Sequence, residues 1–235
     1  MSVIAANLQD VNGRIAAAAQ QAGRPAGAVA LLAVSKTFPD GAVREAFAAG
    51  QRAFGENYVQ EGVAKVVALA DLREQIAWHF IGPLQSNKTR LVAEHFDWVH
   101  AIDRLRVAER LSAQRPAGMA PLQVCIQVNI SDEASKSGVA PEQALALAQA
   151  VAALPGLRLR GLMAIPEPAA DAAAQRLPFA ALRALLGSLR EAGLDVDTLS
   201  MGMSGDMEAA IAEGATLVRI GTAIFGSRPA PAPHG

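Results

Sequence analysis

The stretch AVALLAVSKT, residues 28–37, decides the fold class. Residues 28–34 are apolar without a break, and Ser35, Lys36 and Thr37 follow at once. An unbroken apolar run, rather than an alternating one, is typical of a parallel strand that is covered on both faces. Residues 28–34 are therefore predicted to form a parallel β-strand whose carboxyl end leads into Lys36.

The same strand-then-helix pattern recurs along the rest of the chain. A helix that begins at Pro39-Asp40 ends at Gly50, and further apolar runs then alternate with stretches of helical periodicity. The predicted strands are 28–34, 53–56, 77–81, 98–102, 122–130, 157–165, 198–203 and 217–220. The later predicted helices are 58–70, 86–94, 104–115, 141–154, 172–192 and 206–213, and an additional N-terminal helix carries Val3, Leu8, Val11 and Ile15 and stops at Gly23.

Eight strands with a helix in each gap predict an α/β fold, a closed (β/α)8 TIM barrel with an extra N-terminal helix. The barrel is expected to form one domain over residues 1–227, followed by a disordered Pro/Ala-rich tail, 228–235. An open doubly wound sheet is the alternative. It is disfavoured because no G-x-G-x-x-G follows the first strand.

Composition excludes several classes of protein. The 235 residues are 51% apolar, which excludes disorder, and the formal net charge of -1 gives no sequence-wide attraction to nucleic acid or anionic membranes. Cys125 is the only cysteine, so no internal disulfide forms. The first residues lack the features of a signal peptide, and no apolar run reaches the ~18 residues of a membrane span. We expect a cytoplasmic protein with no nucleic-acid, membrane or metal partner.

Lys36 is the most informative residue for chemistry. It is the only one of four lysines that directly follows an apolar strand, and active sites of such barrels lie at the carboxyl ends of the strands. Desolvation there lowers the pKa of a lysine and leaves a neutral amine able to attack a carbonyl. The alternative is a lysine whose stem lies along the rim and whose charge reaches solvent. The strand pattern alone leaves both open.

Two glycine-bearing segments after the last two strands predict a phosphate site. Barrels often hold a phosphate between these loops and the N-terminus of a short extra helix. Residues 221–226 have the pattern of such a helix start, with Gly221 and Thr222 facing the anion, and Ser200, Gly202 and Ser204 as further donors. The alternative is that the glycines make tight turns and Ser204 caps the next helix.

Arg219 lies between two apolar residues at the end of the last strand, where a buried cation needs a partner or a ligand. The alternative to a ligand is a structural ion pair, for example with Glu56. A lysine, a phosphate site and an inward arginine together fit a phosphorylated aldehyde held as an imine. Pyridoxal 5'-phosphate is the leading candidate, and a sugar-phosphate aldolase is the other.

The chain resembles the pyridoxal phosphate homeostasis protein family. The resemblance lies in the motifs AVSKT (33–37), FGENY (54–58), WHFIGPLQ (78–85), LSMGMS (199–204) and VRIGTAIFG (218–226), in this order. It implies a single-domain relative of the alanine racemase barrel that binds pyridoxal phosphate without established turnover. It also implies a role in intracellular homeostasis of the cofactor, with apo-enzymes as possible acceptors.

The resemblance further implies a role for each matching residue. Lys36 is expected to be the Schiff-base lysine, Asn57 to lie beside the cofactor and Arg219 to face the pyridine nitrogen. The expected phosphate ligands are Ser200, Gly221 and Thr222, and Met201, Gly202 and Ser204 are expected to line the same pocket.

Minimal amino-acid racemase activity is the alternative function. It needs an acid/base group opposite the lysine, and Tyr58, the only tyrosine, is predicted to be a rim or core contact. A guanidinium beside the pyridine nitrogen also disfavours the protonated ring that carbanion chemistry requires. His79 and His100 either titrate near neutral pH or are hydrogen-bonded inside the barrel. Lys136, after the fifth strand, is a candidate secondary attachment site, or a solvated loop lysine.

Overall fold

The computed structural model describes residues 2–131, 137–169 and 171–227. Within these ranges eight parallel strands form a closed barrel in the order in which they occur in the chain. The predicted tail, 228–235, and the candidate attachment site Lys136 lie outside the described residues. The predicted eight-stranded α/β barrel is confirmed.

The strands are short, and the helices lie between them along the chain. The strands are β1 Ala30–Val34, β2 Ala53–Glu56, β3 Ala77–Phe80, β4 Trp98–Ile102, β5 Leu122–Gln127, β6 Leu157–Met163, β7 Thr198–Ser200 and β8 Leu217–Ile220. The α-helices are α1 Val3–Gln21, α2 Asp40–Ala48, α3 Val59–Ala68, α4 Thr89–His95, α5 Leu105–Gln114, α6 Pro141–Ala152, α7 Ala172–Glu191, α8 Met207–Ala212 and α9 Thr222–Phe225. Short 3-10 turns span Ala70–Leu72 and Ser86–Lys88.

Side chains on each strand alternate between two layers. On β1, Leu31 and Ala33 belong to the large outer core between the strands and the helices, whereas Leu32 and Val34 belong to a small inner cluster. That inner cluster also contains Ile81, directly after β3, and Leu217 on β8. Residues two apart on a strand therefore share a layer, and this parity decides which polar side chains face the barrel interior.

Three predicted strands extend too far at the carboxyl end. The predictions 122–130, 157–165 and 198–203 end in the structure at Gln127, Met163 and Ser200. Ile165 and Met203 are 39% and 38% exposed at the mouth of the barrel. Their apolar character reflects the surface of the mouth loops rather than a covered strand, so apolar periodicity places the boundary too late.

The predicted N-terminal helix is confirmed as α1. Ser2 caps it by accepting a hydrogen bond from Ala5 N–H, and Leu8 and Val11 bury its inner face. Asn7 Nδ2 donates to the carbonyl of Ile224 at 2.9 Å, so α1 also contacts the predicted short helix α9. No helix among the described residues is both long and apolar enough to span a membrane.

Candidate functional site

Lys36 lies in the turn that directly follows β1. It is half-buried. It comes two residues after Val34 and four after Leu32, whose side chains belong to the inner cluster, so the alternation along the strand places Lys36 on the same inner side. Val34 pairs with Gly55 on β2, and Lys36 and Asn57 each follow two residues later. The register therefore brings these two predicted site residues to neighbouring strand ends.

Asn57 borders a cavity at the mouth of the barrel. The cavity has a volume of about 270 Å³. Asn57 Oδ1 is buried and has no hydrogen-bond partner within the part of the chain that the structure describes. A buried amide oxygen without a donor is unfavourable by about 1–3 kcal/mol, so the atom favours a ligand that donates to it. The lining residues are Asn57, Ile81, Pro83, Gln127, Val128, Asn129, Ser137 and Ile165.

The predicted phosphate segment lies against the strand that leads into Lys36. A Cβ atom on Gly221 would come within 3.1 Å of the carbonyl oxygen of Val34, so glycine permits this close approach. Gly221 is the N-cap of α9, and Thr222 is exposed beside it. The N–H of Ile224 donates to the carbonyl of Gly221 at 2.9 Å, whereas the N–H groups of Thr222 and Ala223 have no backbone partner among the described residues, as is usual at the start of a helix.

The loop after β7 has a conformation that only glycine adopts readily. Gly202 has a φ of 95°, and a Cβ atom there would lie 2.6 Å from Cβ of Ala210. Its carbonyl accepts the N–H of Arg219 at 2.9 Å, which joins the loop to β8. Met201 is fully buried in the outer core. Its side chain therefore faces the helices, and only its backbone is placed to line the predicted pocket.

Ser204 is half-buried in the same loop. The N-cap of α8 is Asp206, whose side chain instead accepts the N–H of Met203 at 2.6 Å. The alternative interpretation, in which Ser204 caps this helix, is wrong. Its position leaves the Ser204 hydroxyl as a candidate donor at the mouth of the barrel.

Arg219 faces the barrel interior. Its Nη1 donates to the carbonyl of Ser200 at 2.6 Å and to Ser200 Oγ at 2.8 Å, and its Nη2 donates to the carbonyl of Ala164 at 2.9 Å. The alternative pairing with Glu56 is wrong, because Glu56 shares the outer face of β2 with Phe54. Burial lowers the pKa of Arg219 to about 10, which still leaves it charged at neutral pH.

Two histidines extend the hydrogen bonds of Arg219 and Ser200 further into the barrel interior. His100 Nδ1 lies 2.8 Å from Ser200 Oγ, and His100 Nε2 lies 2.9 Å from His79 Nδ1. Burial lowers the pKa of His79 to about 3 and the pKa of His100 well below its usual value. Both imidazoles are therefore neutral, hydrogen-bonded interior groups, the second of the two interpretations that the sequence left open. We call Arg219, Ser200, His100 and His79 the inner polar cluster.

Comparison with known proteins identifies the family. The alanine racemase N-terminal domain family matches residues 6–229. The pyridoxal phosphate homeostasis protein of Pseudomonas aeruginosa is 65% identical over 99% of both chains. The protein of the same name from Escherichia coli K12 is 58% identical over 97% of this chain and 98% of its own length. The chain belongs to the pyridoxal phosphate homeostasis protein family.

Structures of related proteins agree with this membership. PipY from Synechococcus elongatus, in the form with pyridoxal phosphate bound, is 39% identical with a TM-score of 0.81, over 95% of this chain and all of PipY. The form without the cofactor gives 41% and 0.82 over the same shares. Alanine racemase from Corynebacterium glutamicum is 20% identical with a TM-score of 0.66 over 63% of its chain, and it shares the fold.

The chain also contains a second polar cluster, which the sequence did not reveal. Lys65 Nζ lies 2.8 Å from Glu56 Oε1, 2.7 Å from Glu61 Oε1 and 2.7 Å from the carbonyl of Ser35. Ser35 Oγ donates to Glu56 Oε1 at 2.6 Å. Burial raises the pKa of Glu56, although Lys65 and Ser35 oppose this. We call Ser35, Glu56, Glu61 and Lys65 the outer polar cluster.

The outer polar cluster had one weak signal in the sequence. Glu61 and Lys65 are four residues apart on a helix, a spacing at which opposite charges pair. Both residues lie in the predicted helix 58–70, and the spacing alone does not indicate that the pair is buried. The burial of Lys65, at 5% exposure, arises because α3 packs directly on β2.

Proposed function

We propose that the protein binds pyridoxal 5'-phosphate as a Schiff base on Lys36 and takes part in intracellular homeostasis of the cofactor. Two relatives that are 65% and 58% identical carry the name pyridoxal phosphate homeostasis protein. PipY, at 39% identity, has a structure with pyridoxal phosphate bound. One observation carries the proposal: β8 pairs with β1 and so closes the barrel. This pairing brings Arg219 on β8, and Gly221 directly after it, next to the strand that leads into Lys36.

The inner polar cluster fits the pyridine nitrogen of the cofactor. Nη1 and Nη2 of Arg219 are engaged by Ser200 and Ala164, and no hydrogen bond among the described residues uses its Nε. That N–H is a donor suited to an unprotonated ring nitrogen. Because the guanidinium retains its proton at neutral pH, it would hold the ring nitrogen in the acceptor state.

The segment after β8 and the loop after β7 fit the phosphate. Backbone N–H groups of Gly221 and Thr222, the Thr222 hydroxyl and the Ser204 hydroxyl are the proposed donors. Gly202 lets the loop pass close to Ala210 on α8, which fixes the position of the loop at the mouth of the barrel. Ser200 was predicted as a further phosphate ligand, and its hydroxyl is engaged by Arg219 and His100. Its contact with phosphate stays a prediction, and its observed hydrogen bonds orient Arg219.

Lys36 and Asn57 complete the proposed site. The bound cofactor would supply an aldehyde, and the Lys36 amine is the group that would condense with it, with loss of water. Asn57 Oδ1, buried and unpaired within the described ranges, would accept a hydrogen bond from a donor on the bound molecule.

We propose that this site holds and releases the cofactor without amino-acid turnover. Racemisation requires a proton donor and acceptor opposite Lys36. Tyr58, the sole tyrosine, is 54% exposed at the N-cap of α3. His79 and His100 are hydrogen-bonded to each other inside the barrel, His100 also contacts Ser200 Oγ, and burial lowers the pKa of both. Cytoplasmic location and delivery to apo-enzymes are part of the same proposal.

Covalent trapping tests the attachment site. We expect the purified protein incubated with pyridoxal phosphate to become yellow, and borohydride to fix the cofactor on the peptide that contains Lys36. Lys36→Ala and Lys36→Arg should both lose the fixed adduct, because alanine has no amine and a guanidinium forms no stable imine. Lys88→Ala, which removes another half-buried lysine, is the matched control and should keep it.

Two results would contradict the proposal. One is a Lys36→Ala protein that retains the adduct at wild-type stoichiometry. The other is loss of optical rotation from L-amino acids incubated with concentrated protein, which would support the minimal racemase instead.

A further inference from the structure

The turn that carries Lys36 has an unusual backbone conformation. Thr37 has a φ of 69°, and no other non-glycine residue among those described has a positive φ. The left-handed region is unfavourable for an L-residue by roughly 1–2 kcal/mol, and for a β-branched threonine more than for most. Such a conformation persists only where surrounding contacts stabilise it.

Two side chains of α3 provide those contacts on both sides of Lys36. The N–H of Thr37 donates to Glu61 Oε1 at 2.5 Å. Lys65 Nζ donates to the carbonyl of Ser35 at 2.7 Å and to the same Glu61 oxygen at 2.7 Å. The backbone immediately before and immediately after Lys36 is therefore tied to one ion pair.

The ion pair itself is fixed against the barrel. Lys65 also binds Glu56, which is fully buried on β2. The intervening residue of α3, Gly62, packs so closely that a Cβ atom there would lie 2.6 Å from Phe96 Cζ and 3.1 Å from Cβ of Glu56. Because α3 has little room to shift, Glu61 is held at a defined distance from the Thr37 N–H.

We propose that Glu61 is a positioning residue for Lys36, oriented by Lys65, that keeps the 35–37 turn left-handed at Thr37 and so sets the direction of the Lys36 amine. The inference rests on the proposed function, because it takes Lys36 as the amine that binds the aldehyde. Without the carboxylate, Thr37 gains by relaxing to a negative φ, and this rotates the adjoining peptide of Lys36. The amine then leaves the geometry in which it meets the cofactor.

Glu61→Ala tests this positioning directly. We expect the rate of Schiff-base formation, followed by absorbance after pyridoxal phosphate is added to apo-protein, to fall by up to about 100-fold, because a misplacement of about 1 Å can reduce a rate by this much. Glu74→Ala is the matched control, because Glu74 is exposed and makes no ion pair within the described ranges. Circular dichroism and urea unfolding of both variants report whether the fold itself has changed.

A second substitution separates positioning from a general structural role. Thr37→Gly in the Glu61→Ala background should restore most of the lost rate, since glycine adopts a φ near 69° without support from a carboxylate. Because the glycine also removes the strain at residue 37, urea unfolding of the double variant is measured beside the rate, and positioning is supported where the rate returns by more than the regained stability explains. The inference is overturned if Glu61→Ala reacts as fast as Glu74→Ala, or if the added glycine leaves the slow rate unchanged.

Reductive methylation with formaldehyde keeps the two proposals distinguishable. Mass spectrometry of the modified peptides gives the reactivity of Lys36 relative to Lys88 without any cofactor. We expect a several-fold change of this ratio in Glu61→Ala. If wild-type protein fails to trap pyridoxal phosphate on Lys36 but the ratio still depends on Glu61, the proposed function fails and the positioning stands. An unchanged ratio overturns the positioning even if the cofactor is trapped.

Discussion

The inner polar cluster is buried inside the barrel and the outer one lies between β2 and α3 with only Glu61 partly exposed, and the two differ in how their charges are compensated. In the outer polar cluster, one ammonium group, Lys65, meets the carboxylates of Glu56 and Glu61. In the inner polar cluster, Arg219 donates only to neutral oxygen atoms, and the histidines beyond Ser200 are neutral. Opposite charge inside the outer polar cluster compensates its cation, whereas the inner one leaves a cation facing the barrel for an electron-rich ligand.

Lys65→Met should have the largest effect on stability, because it leaves the fully buried carboxylate of Glu56 and the half-buried carboxylate of Glu61 without their cation. We expect the free energy of unfolding to fall by about 3–5 kcal/mol, the usual result of removing one partner of a buried ion pair. Urea unfolding with a linear extrapolation measures it. Lys88→Met is the control, since Lys88 makes no ion pair among the described residues. If Lys65→Met lowers the free energy of unfolding by no more than ~1 kcal/mol beyond the control, the argument that Lys65 compensates the two carboxylates is wrong.

Arg219→Met should destabilise the protein less. The substitution removes a buried cation whose pKa is already lowered by burial, and it leaves only neutral acceptors at Ser200 and Ala164 without donors. Unpaired acceptors of this kind correspond to a loss of roughly 1–3 kcal/mol in the free energy of unfolding. The same urea experiment, run beside Lys65→Met, ranks the two variants. A larger loss for Arg219→Met would mean that the inner polar cluster stabilises the fold more than the outer one does.

The sequence predicted the barrel and the inner site more fully than the outer polar cluster. The unbroken apolar run 28–34 indicates a strand covered on both faces. Lys36 and Arg219 are each recognised as candidates from their own position at the end of one strand, without knowledge of the packing. Glu56 was harder to interpret, because the sequence does not show whether its side chain faces the barrel interior or the helix α3 outside. Only the packed structure shows that it faces α3. The left-handed φ of Thr37 has no sequence signal, since threonine is not a residue that favours it.

The last prediction concerns the buried histidines of the inner polar cluster, and it is a dependence of stability on pH. The pKa of His79 is about 3 in the folded protein and near 6.5 when unfolded, so below pH 6.5 only the unfolded chain takes up this proton. The free energy of unfolding should therefore fall as the pH is lowered from 6.5 towards 3, with a slope of about 1.4 kcal/mol per pH unit from this residue.

His79→Phe keeps a ring that can stack on Trp98, 5.1 Å away between centroids, and removes the titrating group. Its urea-unfolding series between pH 6 and 4 should be shallower than that of the wild type by this slope. Equal slopes would show that His79 takes up a proton in the folded protein, and the inner polar cluster would then not be neutral below Arg219.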